Sequence, residues 1–417
     1  MNNKIMILLP KTIYILRAKP QQTIVVDREE YTLYFKNFIY PFSADTMFVR
    51  ITCDYGANFG DFWRISSFPE DISEFSMTVT VCGGFGEVLS EKTTLIKLVN
   101  KMPAAEPFRV LAIGDSFTRL GFYLRHIADK LHNISFIGTR SYNGNIYHEG
   151  RGGWCLHDYF TLYDYSFRTE CGGVSPFLFP KGVDGKEYAG DIEYLNRLRE
   201  DTIGNYNLDG FEPQPLREGM IYYHEGKLYR YSRAGSCEYL EQPEFEFSFK
   251  KYAQKNPTCM PDAVSVLLGA NDLQYDSAIG IKAKVERFCH EMEQFVNSVR
   301  EYNRTLPVII NLPVLGTPQY AWGMSGMGHG AAEYNLQIRM VAEKLLEKYD
   351  GEEGIYISPM LLCIDPVYGY SLGCAVANRY SQAQIAVHTD RLHPNQAGYC
   401  QIGDCLAAVI EHLKNNR

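Results

Sequence analysis

The chain of 417 residues is 46% hydrophobic, 22% charged and 13% aromatic, which excludes a disordered protein. Its 41 basic and 49 acidic residues leave a formal charge of -8 and argue against a broad basic surface for nucleic acid. Eleven cysteines cannot all pair within the chain, and none stands at CxxC spacing, so a zinc ribbon and a thioredoxin motif are excluded as well.

The opening run Ile5-Met6-Ile7-Leu8-Leu9 is broken by Pro10 and Lys11 and lacks a small-residue cleavage site, so it reads as a strand rather than a signal peptide. No stretch approaches the roughly 18 apolar residues of a membrane span. A cytoplasmic protein is the expectation, with a secreted one the alternative if a leader was removed. The first hundred residues then read as all-β. Short β-branched and aromatic runs follow one another at Thr12–Leu16, Thr23–Val26, Tyr31–Phe35, Met47–Cys53, Phe75–Cys82 and Thr93–Val99. Turn formers such as Lys19-Pro20, Tyr55-Gly56-Ala57-Asn58 and Gly83-Gly84 separate them, and the spacing predicts a β-sandwich. Two prolines in Lys101–Pro107 mark a boundary, giving an accessory domain over 1–102 and a second domain over 103–417.

Strands and helices alternate from there on. Arg109–Ile113 is a buried strand, Phe117–His132 a helix and Ile134–Gly138 a second strand. Ala263–Leu268, Pro307–Leu312 and Ile355–Ile357 are further strands. Val285, Phe288, Cys289, Met292, Phe295, Val296 and Val299 line one face of a helix over Ile281–Tyr302. Ile338, Val341, Ala342, Leu345 and Tyr349 mark another helix, and Gln396–Leu413 the last. Such alternation predicts a parallel sheet covered by helices on both faces. An insertion over 159–260 interrupts it; it shows little helical period and holds 12 of the 30 tyrosines. A loop this long has structure of its own or covers a site.

In an open α/β sheet, sites form at the carboxyl ends of strands. After the first strand comes Gly114-Asp115-Ser116, placing a serine where a helix begins, with backbone N–H groups and the helix dipole nearby. A plain helix N-cap is the alternative reading. After the second comes Glu149-Gly150-Arg151-Gly152-Gly153-Trp154, whose glycines let backbone N–H groups approach a ligand, or simply make a tight turn. The third ends in Gly269-Ala270-Asn271-Asp272, where an asparagine amide either faces substrate or caps the next segment. Near the C-terminus stands Asp390-Arg391-Leu392-His393. A serine nucleophile needs an imidazole base, and the imidazole needs an orienting carboxylate; a spacing of three puts both on one side of a turn. A surface ion pair has the same spacing. His388 and His393 form at most a fragment of a metal site with no evident third ligand, and HExxH and EF-hand patterns are absent.

These four segments, in this order, resemble the sequence blocks of the SGNH (GDSL) hydrolase family, over Phe108 to the C-terminus apart from the insertion. The resemblance implies a flavodoxin-like three-layer α/β/α domain with a parallel sheet, here preceded by the all-β sandwich. It implies that Ser116 is the nucleophile, His393 the base and Asp390 its orienting acid. It further implies an oxyanion hole built from the N–H groups of Ser116 and Gly153 and the amide of Asn271. Gly153 is preferred to Gly152 because the family places this glycine three after an earlier one, here Gly150. The chemistry needs no metal or other cofactor. Trp154 departs from the family's commoner polar pattern; with Arg151 it is assigned to substrate binding, where the indole could stack on a sugar ring or simply pack.

The leading expectation is a serine esterase removing short acyl groups, acetyl first, from carbohydrate. A lipid esterase, lysophospholipase or thioesterase is the alternative, and a non-catalytic glycan-binding protein on this scaffold the third. The partner is a small-molecule or glycan ester, with no nucleic acid and no membrane span; the sequence leaves the oligomeric state open. Both ends of the insertion lie on the oxyanion side of the site, so its tyrosines are expected to reach the pocket of Ser116 and His393.

Overall fold

The computed structural model describes residues 5–17, 30–43, 45–66, 68–103, 106–142, 145–161, 175–191, 217–224, 227–232, 238–240, 244–274, 280–317 and 331–417. The expected strand at Thr23–Val26 and much of the insertion lie outside the described residues.

The N-terminal region is β-rich, as its composition predicts. Glu74–Gly83 pairs antiparallel with Val88–Val99 on one side and with Met47–Thr52 on the other, and Thr12–Leu16 joins as a parallel edge. Along Glu74–Gly83 the apolar Phe75, Met77, Val79 and Val81 are buried at every second position, the period of a strand with one face in a core. A three-stranded sheet of Tyr31–Tyr34, Phe62–Ile65 and Ala57–Asn58 completes the region. The turn expected at Tyr55–Asn58 is therefore partly a strand, and the Phe62–Ile65 strand goes unseen in the sequence.

This region is fastened to the rest of the chain. Arg339 donates from Nε to the Asn37 carbonyl (3.1 Å) and from a terminal nitrogen to the Lys36 carbonyl (2.6 Å). Asn37 donates to the Ile364 carbonyl (2.8 Å), and the Tyr34 hydroxyl bonds Asp365 (3.0 Å).

The second region is built on one parallel sheet. Its strands are β1 (Phe108–Gly114), β2 (Ile134–Ile137), β3 (Ile146–Gly150), β4 (Ala263–Leu267), β5 (Val308–Asn311) and β6 (Ile355–Ser358). β1, β4, β5 and β6 lie side by side, with every residue of β4 and β5 buried, as a sheet covered on both faces requires. On the other side of β1, β2 pairs with its first half and β3 with its last two residues. Counting β2 and β3 as one position gives the order 2-1-3-4-5 of the flavodoxin-like fold. Helices α1 (Phe122–Lys130) and α4 (Gln396–Asn415) pack together on one face, α2 (Ile281–Tyr302) and α3 (Ala331–Tyr349) on the other. α4 is also covered by the N-terminal strand Thr12–Leu16.

Four local expectations are corrected. The helix expected over Phe117–His132 is a single turn, Ser116–Arg119, followed by α1; Gly121 between them has a left-handed φ of +67°, which breaks the helical ladder. Glu149 and Gly150, expected in a loop, end strand β3, whose antiparallel neighbour Arg140–Tyr142 also went unseen. The insertion contains a helix, Phe249–Lys255, capped by the Ser248 hydroxyl. An antiparallel hairpin of Leu372–Asn378 and Ser381–His388 rises just before the Asp390 block; its strands are mostly exposed, so they lack the buried alternation that betrays a strand in sequence.

Candidate active site

β2 and β3 leave β1 on one side and β4 on the other, so a crevice opens beyond their carboxyl ends, where ligands bind in such sheets. Ser116 follows β1 there. Asp115 caps the helical turn, its Oδ1 accepting the Phe117 N–H (3.0 Å), so Ser116 is the turn's first residue rather than its cap. A turn of four residues has little macrodipole, and any help to an anion comes from its backbone N–H groups.

The structure brings the C-terminal block onto this serine. The Ser116 hydroxyl donates to His393 Nε2 (2.9 Å), and His393 Nδ1 donates to Asp390 Oδ2 (3.2 Å), one ring tautomer serving both bonds. Asp390 Oδ1 accepts the backbone N–H groups of Leu392 (2.8 Å) and His393 (2.9 Å). Burial would raise the Asp390 carboxyl, but the His393 ring and these two N–H groups outweigh it and hold the carboxyl at about 2. The loop is held from outside as well. Thr317 donates from Oγ1 to the Asp390 carbonyl (3.0 Å) and from its backbone to the Arg391 carbonyl (2.9 Å). Asn395 caps α4 at Gly398 (3.0 Å) while its amide reaches the carbonyls of Tyr368 and Tyr370 (2.9 Å each). Phe117 packs 5.6 Å from the His393 ring.

Gly153 turns the chain at a φ of +75°, which only glycine adopts without strain. Asn271, buried at the start of the Ala270–Gln274 turn, donates one amide N–H to the Trp154 carbonyl (3.0 Å). A primary amide has a second N–H for a further acceptor. The next residue, Asp272, accepts the Leu156 N–H (2.8 Å). The third block thus grips the second on either side of Cys155. Burial pushes the carboxyls of Asp272 and Asp115 up to about 7, against the backbone N–H bonds each accepts.

Arg151 and Trp154 are corrected. Arg151 is buried with its guanidinium on the Glu149 carboxylate (2.9 Å) and 5.3 Å from the Trp154 ring. Trp154 is 0% exposed and packs edge-on against Tyr159 at 5.0 Å. A ring with no accessible face cannot stack on a sugar, so both side chains belong to the floor of the loop. His148, also buried, accepts the Gly150 N–H at Nδ1 (3.0 Å), and burial lowers it to about 3. His157 sits on Glu291 (2.6 Å), and His388 is engaged by the Val367 carbonyl (3.0 Å). Among the described residues no cluster of three or more His, Cys, Asp or Glu could hold a metal ion, and no helix is long and apolar enough to cross a membrane.

Of the insertion's tyrosines, Tyr159 reaches the strand ends: its hydroxyl lies 2.8 Å from the Gly114 carbonyl and 2.7 Å from that of Glu149. Tyr252 joins a buried aromatic cluster with Phe177 (4.6 Å), and Tyr188 packs on Phe179. Tyr163, Tyr165, Tyr194 and Tyr206 lie outside the described residues. Sequence reading placed Glu149 and Asp272 within the second and third blocks but gave neither a role; in the structure each holds the loop, Glu149 through Arg151 and Asp272 through the Leu156 N–H.

Comparison with solved structures finds distant similarity. A carbohydrate esterase family 3 protein of Talaromyces cellulolyticus is 12% identical, covering 74% of this chain and 99% of its own, with a TM-score of 0.35. A carbohydrate esterase family 2 enzyme with a carbohydrate-binding domain, from Corynascus thermopiles (Myceliophthora fergusii), is 15% identical, covering 93% and 91%, with a TM-score of 0.35. A lipase/acylhydrolase of Enterococcus faecalis is 12% identical, covering 73% and 96%, with a TM-score of 0.33. Comparison with curated proteins finds no match. The profile of the family described as "GDSL-like Lipase/Acylhydrolase" matches residues 110–406, which span all four sequence blocks and the parallel sheet apart from the first two residues of β1. The chain belongs to that family and is a hydrolase of ester bonds.

Proposed function

We propose that the chain is a serine esterase that hydrolyses short acyl esters, acetyl first, on carbohydrate, through Ser116, His393 and Asp390 and a covalent acyl-enzyme. The hydrogen-bonded chain from Ser116 Oγ through the His393 ring to Asp390 carries this reading. Ser116 attacks the ester carbonyl as His393 Nε2 takes its proton. The N–H groups of Ser116 and Gly153 and the Asn271 amide hold the tetrahedral oxyanion. His393 then protonates the leaving alcohol, and water, activated by the same imidazole, releases the acid. Asp390 stays ionised throughout and stabilises the imidazolium.

The side chains of His393 and Asp390 are 36% and 41% exposed, so the leaving-group side opens to solvent. That openness supports a bulky polar alcohol such as a sugar unit. The reading includes the division into an accessory domain over 1–102 and a hydrolase domain over 103–417. The nine described cysteines are all free thiols, which supports a reducing compartment such as the cytoplasm. A second reading, an esterase for lipid esters, draws on the exposed Tyr368, Val376, Tyr380 and Ile385 around the hairpin that leads into Asp390. Nitrophenyl esters of increasing acyl length, assayed beside acetylated sugars, test the proposal. Activity confined to acetyl and propionyl supports the first reading, and activity rising with chain length supports the second.

A further inference from the structure

Glu149 is a buried residue one position before the oxyanion loop; three groups converge on its carboxylate and a fourth on its backbone carbonyl. Its Oε1 accepts the Thr139 N–H (2.8 Å) and the Tyr252 hydroxyl (2.8 Å). Its Oε2 takes the Arg151 guanidinium (2.9 Å), and its carbonyl accepts the Tyr159 hydroxyl (2.7 Å), whose single proton is shared with the Gly114 carbonyl (2.8 Å). Glu149, Arg151, Tyr159 and Tyr252 are all buried in the core, and Thr139 is half-buried. Tyr159 is the first residue of the insertion and Tyr252 lies close to its end. The long insertion therefore closes, at both ends, on one buried residue: Tyr252 on the Glu149 carboxylate and Tyr159 on its backbone carbonyl.

Arg151 links that carboxylate to the loop. Its guanidinium is fixed by Glu149 on one side and by the Trp154 and Tyr159 rings on the other, at 5.3 and 5.9 Å. Gly152 and Gly153 lie between Arg151 and Trp154, so both ends of this two-glycine segment are tethered. The Trp154 carbonyl is held in turn by Asn271. Tyr159 also ties the last residue of β1, two before Ser116, to the end of β3. The carboxylate gains from this company: burial would raise it, but Arg151, the Thr139 N–H and the Tyr252 hydroxyl bring it below its ordinary value.

Resting on the esterase reading above, we propose that Tyr159 and Tyr252 are positioning residues: through Glu149 the insertion sets the oxyanion loop, holding Gly153 in register with Ser116 and Asn271. A hydroxyl bonded to a buried carboxylate is a strong, directional restraint in a low-dielectric interior. Oxyanion donors act only within a few tenths of an ångström of the right place, and a shift of about 1 Å can lower a rate about 100-fold. The insertion's first task, on this account, is the transition state rather than substrate contact.

The test uses the full chain with Tyr252→Phe and Tyr159→Phe, each of which removes only a hydroxyl, and Ser116→Ala as the control on the esterase reading. Steady-state kinetics on a nitrophenyl acetate ester are read beside inhibition by a boronic acid, which mimics the tetrahedral state. The expected result is a fall in kcat of about 10-fold with KM unchanged, and boronate affinity weakened in the same ratio as kcat/KM. Folded variants that keep kcat within twofold, while Ser116→Ala is inactive, overturn the positioning role and leave the esterase reading intact. An active Ser116→Ala overturns the reading itself. Should a tyrosine variant fail to fold, Glu149→Gln/Arg151→Met replaces it, since it removes both buried charges together. There too a lowered kcat at unchanged KM supports the proposal, and full kcat overturns it.

Discussion

In the proposed mechanism, the loop that brings in Asp390 and His393 and the loop that brings in Gly153 serve one site by different physical means. In the first, the working groups are half exposed, and the Asp390 carboxylate orients both the imidazole and the backbone that carries it. In the second, the proposed working groups are backbone N–H donors, and Glu149, Arg151, Trp154 and Tyr159 form a buried layer beneath the loop that we propose keeps it in shape. A side chain that does chemistry can be held by neighbours three residues away. A backbone donor has no such handle and must be held by the core beneath it.

That contrast can be broken at several points. Removing the nucleophile by Ser116→Ala should lower kcat by about 10⁴-fold or more with the fold intact, leaving only binding and oxyanion effects; near-normal turnover would remove Ser116 from the mechanism. Trp154→Ala should cost about 3–5 kcal/mol of stability, because a fully buried indole leaves a cavity under the loop. A urea midpoint close to that of the unmutated chain would show that the layer is not tightly packed. Asn271→Ala should lower kcat about 100-fold with little change in KM, since the oxyanion exists only in the transition state. A variant that mainly raises KM would recast Asn271 as a ground-state contact.

A further effect concerns pH. Asp115 and Asp272 are pushed up to about 7 by burial, well above their ordinary value of 3.8. The folded chain therefore holds protons that the unfolded chain releases, and the stability this confers is full below about pH 4 and lost as pH rises through 7. Asp390 has the opposite sign: held at about 2, it stabilises above pH 4 and its contribution fades only as pH falls toward 2. Urea midpoints measured from pH 4 to 8 should decline, and Asp272→Asn, which can still accept the Leu156 N–H, should flatten the decline. An unchanged slope in that variant would assign the titration to other groups.

The same contrast explains what the sequence made legible. The proposed triad of Ser116, Asp390 and His393 stands in short blocks because a nucleophile, base and acid must be particular residue types at fixed local spacing, and the parallel strands announce themselves as buried apolar runs. Trp154 and Arg151 were misread as substrate contacts because a residue beside a site looks alike in sequence whether it points up into the cleft or down into the core. Only the ion pair with Glu149 and the complete burial of the indole decide the direction. Tyr252 lies 103 residues from Glu149, and no local pattern links them. The exposed hairpin before Asp390 and the break at Gly121 escaped for a simpler reason: neither disturbs the hydrophobic periodicity from which elements are read.

The account stands on Ser116 as a nucleophile activated by His393. The most direct measurement is intact-mass and peptide-level mass spectrometry after treatment with a fluorophosphonate, which traps an activated serine as a stable covalent adduct. One adduct per chain, located on Ser116, absent in Ser116→Ala and slowed at least about 100-fold in His393→Ala, is the predicted result. Labelling that falls elsewhere, or that proceeds at an undiminished rate without His393, would contradict it.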